Sequence, residues 1–309
     1  MGQGIALQPL PYAEAEAFLD EAVGYAQRTQ PGGAYDSWLQ SARREFLFFT
    51  ARWDEAHRQF QELAARTRAN RYIQINVIAF RALLAALRGQ PESAVELVSP
   101  VVEPAIRIGD LQAYAPVLVA QSHARAGLTD VAGALGALTR AIALRGDRHE
   151  SNISCWLLFE SADVVTSLAL AVGDTADTSE AIEQAVRLLA AYATKIAPDA
   201  SIGGTPAELL VRRALYGAAV EQLAALADRL GQAVEVETGG TPFPGREESA
   251  QRFDQAHRLF DAARARLWLA EEQGDPRLLG DARSVFERLD ATRYVRRAQL
   301  LAARFDDPA

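Results

Sequence analysis

Catalytic or metal chemistry in this chain would have to start from very few residues: His57, His123, His149 and His257, the single cysteine Cys155 and the single lysine Lys195. A zinc site needs histidines on one helical face, as in His-Glu-x-x-His, or cysteines paired at short spacing. The four histidines are far apart in sequence, and His149-Glu150 lacks the second histidine. One cysteine can make neither a cysteine cluster nor an intrachain disulfide. Cys155 would be nucleophilic only beside groups that stabilise its thiolate; next to Trp156 and Leu157 it reads as core packing. Lys195 has no glycines before it that could form a phosphate-cradling loop. Glu247-Glu248 reads as a solvated helix start, where the helix dipole favours negative charge. The sequence therefore offers no catalytic residue, no metal ligand and no cofactor site. A protein that is not an enzyme is expected, with an enzyme on an all-helical fold as the outlying alternative.

The balance of charge narrows the partners. A formal charge of −8 lacks the basic excess of a nucleic-acid binder, so no direct nucleic-acid binding is expected. The start, Met1-Gly2-Gln3-Gly4-Ile5-Ala6, has no basic region followed by an apolar run. The most apolar window, Trp156 to Val172, is interrupted by Glu160 and Asp163, which argues against a membrane span. Lone-cysteine usage fits a reducing compartment. The expectation is a soluble, cytoplasmic protein without a membrane role.

What would position binding groups is a series of helices. Ile73, Val77, Phe80, Leu84 and Leu87 recur at steps of four and three, one apolar face of a helix. Arg88-Gly89-Gln90-Pro91 ends it, and Pro91 suits the first turn of a second helix carrying Ala94, Leu97, Val98 and Val101. This hairpin, Ile73 to Asp110, has neighbours on both sides. After a lead-in over residues 1–11, Tyr12 to Gln27 is helical and Pro31-Gly32-Gly33 breaks it. Asp36 is expected to cap the next helix, packed through Trp38, Ala42, Phe46 and Phe49. Thr50-Ala51-Arg52 turns the chain into Trp53 to Arg66. A further hairpin spans Leu111 to Leu144, with a break at Gly127 and Asp130 as a cap.

Ala51, Gly89 and Gly127 are 38 residues apart, and so are Asp54, Glu92 and Asp130, and Ala56, Ala94 and Ala132. A period of this size predicts stacked helical repeats. The proposed jobs are a reversal of the chain, an acid in the first turn of the returning helix, and a small residue where two helix axes approach. Pro100 should kink or end its helix, and Pro104 and Pro116 also sit awkwardly in the pattern.

Beyond Asp147 the repeats lengthen. Helices are expected over Ser151 to Ala171, Ser179 to Ala193, Ala207 to Leu230, Ser249 to Glu272, Arg277 to Leu289 and Ala291 to Phe305. Gly173-Asp174 is a turn, Pro198 to Pro206 a loop, and Val234 to Gly245 a flexible connection within one domain of residues 1–309. The fold class is all-α, an α-solenoid of antiparallel helix hairpins.

The turn-to-alanine pattern resembles tetratricopeptide repeats, without their first-helix Trp-x-x-Leu-Gly-x-x-Tyr signature. A closer resemblance is to the C-terminal helical-repeat region of bacterial LuxR-type and cyclase-linked ATPase regulators. It rests on Ala263-Arg264-Ala265-Arg266-Leu267, Gly274-Asp275-Pro276, Ala282-Arg283-Ser284-Val285-Phe286-Glu287-Arg288-Leu289 and Arg297-Ala298, with Arg52-Trp53-Asp54-Glu55-Ala56 as a turn motif. The resemblance implies a region that senses a ligand or docks a partner. No nucleotide-binding, cyclase or DNA-binding segment accompanies it here, so the chain is expected to be a fragment of a longer regulator.

Two functions are expected. The first is a non-enzymatic scaffold that binds a protein partner in signalling or transcriptional regulation. The alternative is a sensor with a small-molecule pocket inside the superhelix. Stacked repeats present an extended concave surface, and Tyr72, Gln74, Asn76, Tyr114, Gln121, Asn152 and Trp156 are the expected binding residues on it.

Overall fold

Apolar residues at three- and four-residue steps leave each segment one buried stripe, and the computed structural model satisfies those stripes with helix against helix. It describes residues 12–66, 70–145, 151–171, 176–196, 206–231 and 243–306. Among these residues there is no strand. The expected lead-in over residues 1–11, the turn at Gly173-Asp174, all but the last residue of the loop from Pro198 to Pro206 and most of the connection from Val234 to Gly245 lie outside the described residues.

The helices are α1 (Tyr12–Thr29), α2 (Ala34–Phe49), α3 (Trp53–Arg66), α4 (Arg71–Leu87), α5 (Pro91–Val98) and α6 (Val102–Ile108). They continue with α7 (Leu111–Gly127), α8 (Val131–Arg145), α9 (Ser151–Ala171), α10 (Ala176–Ala193) and α11 (Pro206–Arg229). The last four are α12 (Arg246–Gln255), α13 (Leu259–Gln273), α14 (Pro276–Arg288) and α15 (Thr292–Asp306). Sequence neighbours pack on one another throughout. In addition α4 lies on α7, α7 on α9 and α9 on α11, while α15 comes back onto α4. One apolar cluster runs continuously from Leu47 to Leu301.

Helix starts are capped by short acceptors. Asn70 accepts from the Ile73 N–H at 3.3 Å, Asp110 from Gln112 at 2.8 Å, Asp130 from Gly133 at 2.9 Å and Asp275 from Arg277 at 2.8 Å. Asp36, expected as a cap, instead lies inside the first turn of α2. Its carboxylate reaches back to the Gly32 N–H at 2.9 Å and sideways to Gln40 at 2.6 Å.

The helix ends revise the repeat. The residues in the left-handed conformation that reverses the chain are Ala51, Gly89 and Thr129, not Gly127. Gly127 is the last residue of α7, and a Cβ there would lie 2.8 Å from the Cβ of Pro91, so its value is close approach between two turns. The fully buried alanines are likewise Ala56, Ala94 and Ala134, whereas Ala132 is exposed. The first interval is 38 residues and the second 40.

Two helix boundaries follow from local chemistry that periodicity hides. Pro100 ends α5, and a 3₁₀ turn over Ser99–Val101 leads into α6; Pro116 is accommodated inside α7. The single helix expected over Ser249 to Glu272 is two antiparallel helices, α12 and α13. The chain turns at His257, whose φ is +55°. The apolar steps Phe253, Ala256, Phe260 and Ala263 keep a helical rhythm straight through that turn, which contains neither glycine nor proline.

α9 is long and apolar enough to cross a membrane by length and composition alone, but most of it is buried in the protein. Its two carboxylates explain why it can be.

Candidate functional site

Glu160 and Asp163 are three residues apart on α9, so they face the same side of the helix. Both are buried, and burying a carboxylate requires partners. Arg264 from α13 supplies a two-pronged pair to Glu160, at 2.7 and 2.8 Å, and also bonds Asp261 at 2.5 Å. His123 from α7 bonds the same Glu160 at 2.9 Å through Nε2. From α15, the Tyr294 hydroxyl donates to Asp163 and Arg297 reaches it at 3.2 Å. Arg293 donates to His123 Nδ1 at 2.9 Å, which fixes the remaining proton on Nε2, directed at Glu160. Arg264 is sandwiched against Phe159 at 4.5 Å and Phe260 at 4.7 Å. Arg258 lies over Phe49 at 4.5 Å and pairs with Asp261.

This network seats the C-terminal helices on α7 and α9. Burial alone would push the Glu160 carboxyl up, but the charge and bonds of Arg264 with those of His123 outweigh it, and Glu160 stays well below the usual carboxylate range. Asp163 follows the same balance, lowered by Arg264 and Arg297. Burial pushes His123 down and, with Asp163 beside it, pushes Tyr294 up. At neutral pH the carboxylates are ionised, the imidazole is neutral and the phenol is protonated. General acid–base work needs a group poised near the working pH, and this network fixes each proton in place.

The expected binding residues fall in different places. Tyr114 and Trp156 are core residues; Trp156 packs its ring against Phe49 and Phe80. Tyr72 and Asn76 come together with Trp38, Gln112 and the buried Glu45 around a dent of about 20 Å³. That is room for roughly one water. Gln74 and Gln121 are half-buried elsewhere on α4 and α7. The side chain of Asn152 lies outside the described residues.

A larger opening lies where α15 meets the turns. The Gly89–Pro91 turn, the Ala126–Thr129 turn, the end of α9 and one face of α15 enclose a cleft of about 210 Å³. Ala86, Pro91, Ala126, Leu170, Ala171 and Leu300 give it apolar walls, and Arg293, Arg296 and Arg297 line the α15 side. Arg297 is neutralised by Asp163 and Glu271. Among the described residues, no carboxylate lies within 4 Å of Arg293 or Arg296. Among the described residues, none that lines the cleft is acidic.

Arg293 and Arg296 carry no motif in the sequence, and Arg297 enters it only through the Arg297-Ala298 resemblance. The available signal was Arg293-x-x-Arg296-Arg297, a basic stripe at helical spacing with no acid at i+3 or i+4 of the first arginine. No protein-family model matches the chain and no curated protein matches it, so the cleft is interpreted from its own residues.

Proposed function

We propose that this chain is a non-enzymatic, tetratricopeptide-like α-solenoid that senses a small molecule within a signalling or transcriptional regulatory system. The solenoid reading is supported by the side-by-side placement of α4, α7, α9 and α11, each with a returning partner helix. In this reading α13 and α15 turn back onto the concave side and occupy the groove a protein partner would have used. The observation that carries the sensor function is the cleft of about 210 Å³ they leave beside the repeat turns, apolar on most sides with convergent polar groups on one. That combination is the usual make-up of a small-molecule site.

The test is native mass spectrometry of the purified protein after exposure to a small-molecule extract of its source cells. A retained small mass is expected, and it should be lost in Ala171→Trp, which places an indole in the cleft from an exposed position at the end of α9. No retained mass, or retention unchanged by Ala171→Trp, overturns the reading.

A protein-docking scaffold is the second reading. Phe18 and Tyr25, seven residues apart on one face of α1, are 51% and 60% exposed and form the paired aromatic surface that such a partner would cover.

A further inference from the structure

We infer that the α15 cleft is built for an organic anion: a compact apolar body carrying one carboxylate that meets Arg293 and Arg296. This rests on the sensor reading above and names its ligand class.

The arrangement of charge favours an anion. Arg293 spends Nη1 on the Nδ1 and carbonyl oxygen of His123, at 2.9 and 3.3 Å. Its Nη2 is buried and has no hydrogen-bond partner among the described residues. A buried guanidinium N–H without an acceptor is costly, and an anionic oxygen is the acceptor it best suits. Arg296, one turn further along α15, is exposed and makes no ion pair among the described residues. Both lie in the first turns of α15, where the helix dipole is positive. The ends of α4, α7 and α9 also point toward the cleft, and their negative dipoles oppose an anion. The first two, however, have last-turn carbonyls that already accept backbone N–H bonds from the turns, and against what remains stand the charge of Arg296 and the part of the Arg293 charge that the buried Asp163 does not offset. Apolar walls set the rest of the ligand. A cavity of 150 Å³ holds benzene, so about 210 Å³ takes on the order of ten non-hydrogen atoms.

Isothermal titration of the full chain with octanoate, octanamide and octylamine reads this directly, since the three share one tail and differ in charge. Octanoate should bind at least roughly tenfold more tightly than octanamide, and octylamine more weakly still. Arg296→Gln, at an exposed position that the fold does not need, should weaken octanoate by roughly tenfold and leave octanamide unchanged. Arg293→Gln should do the same if circular dichroism shows the helices intact. Equal binding of octanamide, or tighter binding of octylamine, overturns the anion assignment while leaving the cleft a small-molecule site. So does failure of octanoate when the cell extract still yields a mass displaced by Ala171→Trp. If neither octanoate nor any extract component binds, the sensor reading falls with it.

Discussion

Among the described residues, Glu45 is a carboxylate without an ion-pair partner. It is buried on α2, and the Ser41 hydroxyl, at 3.4 Å, is a weak donor to it. Burial pushes its pKa up from 4.5 to about 7. The raised value means that the unfolded chain releases this proton before the native protein does. Stability contributed at Glu45 is therefore fully present below about pH 4.5 and is lost as pH rises to about 7. Glu45→Gln, which keeps the shape and removes the titration, should be more stable than the parent by about 3 kcal/mol at pH 8 and equal to it at pH 4. Urea unfolding at the two pH values measures the difference; an equal gain at both would place the effect in packing instead. Glu160 and Asp163 have the opposite sign. Their folded values are lowered by arginines, so their contribution is kept at neutral pH and lost only as the solution becomes strongly acidic. A carboxylate's neighbours in space decide which way it goes, and none of those neighbours is adjacent in sequence. This is why Glu160 and Asp163 could be read as interruptions of an apolar window but not as the anchors of α13 and α15.

At the level of the helices, most of the fold was legible because each helix carries its own apolar stripe. The extents of α3 and α9 agree with the periodicity to the residue, and most other boundaries shift by a few residues. What failed were turns without the usual signals. Ala51, Thr129, His257 and Asp290 all hold positive φ without being glycine, so a search for glycine misplaced one turn at Gly127 and missed another at His257. An L-residue in the left-handed region costs about 1–2 kcal/mol relative to glycine. Two substitutions at equivalent positions should consequently act in opposite directions. Ala51→Gly, at φ +61°, should stabilise by roughly 0.5–1 kcal/mol once the greater freedom of glycine in the unfolded chain is deducted. Gly89→Ala, at φ +74°, should destabilise by about 1–2 kcal/mol. Its new methyl would also sit 3.2 Å from the Cβ of Thr292, disturbing the start of α15 beside the cleft. Thermal unfolding of both variants tests the pair. If Ala51→Gly loses stability, the alanine is held by its packing and not strained by its backbone.

Across the whole molecule, the feature no local pattern announced is the return of the C-terminal helices to the N-terminal ones. The expected binding residues suit an open concave face, yet two of them, Tyr114 and Trp156, are core residues. The return has a thermodynamic consequence. An open stack of repeats is held by nearest-neighbour contacts and can unfold from its ends. Here Phe260 of α13 meets Trp53 of α3 at 4.7 Å between ring centroids, and meets Phe286 and Tyr294 at 5.9 and 5.0 Å. Residues some two hundred positions apart thus share one core, and unfolding either end exposes the other. Helix content followed by circular dichroism and burial of the tryptophans followed by fluorescence should give coincident denaturant midpoints, because Trp53, Trp156 and Trp268 are all buried along this core. Phe260→Ala removes the ring that joins the ends. It should lower stability by roughly 3–5 kcal/mol, and the two signals should separate as the N-terminal and C-terminal halves begin to unfold independently. Midpoints that already differ in the parent protein would mean that the contact between Trp53 and Phe260 does not couple the ends, and that the stack behaves as a chain of neighbours after all.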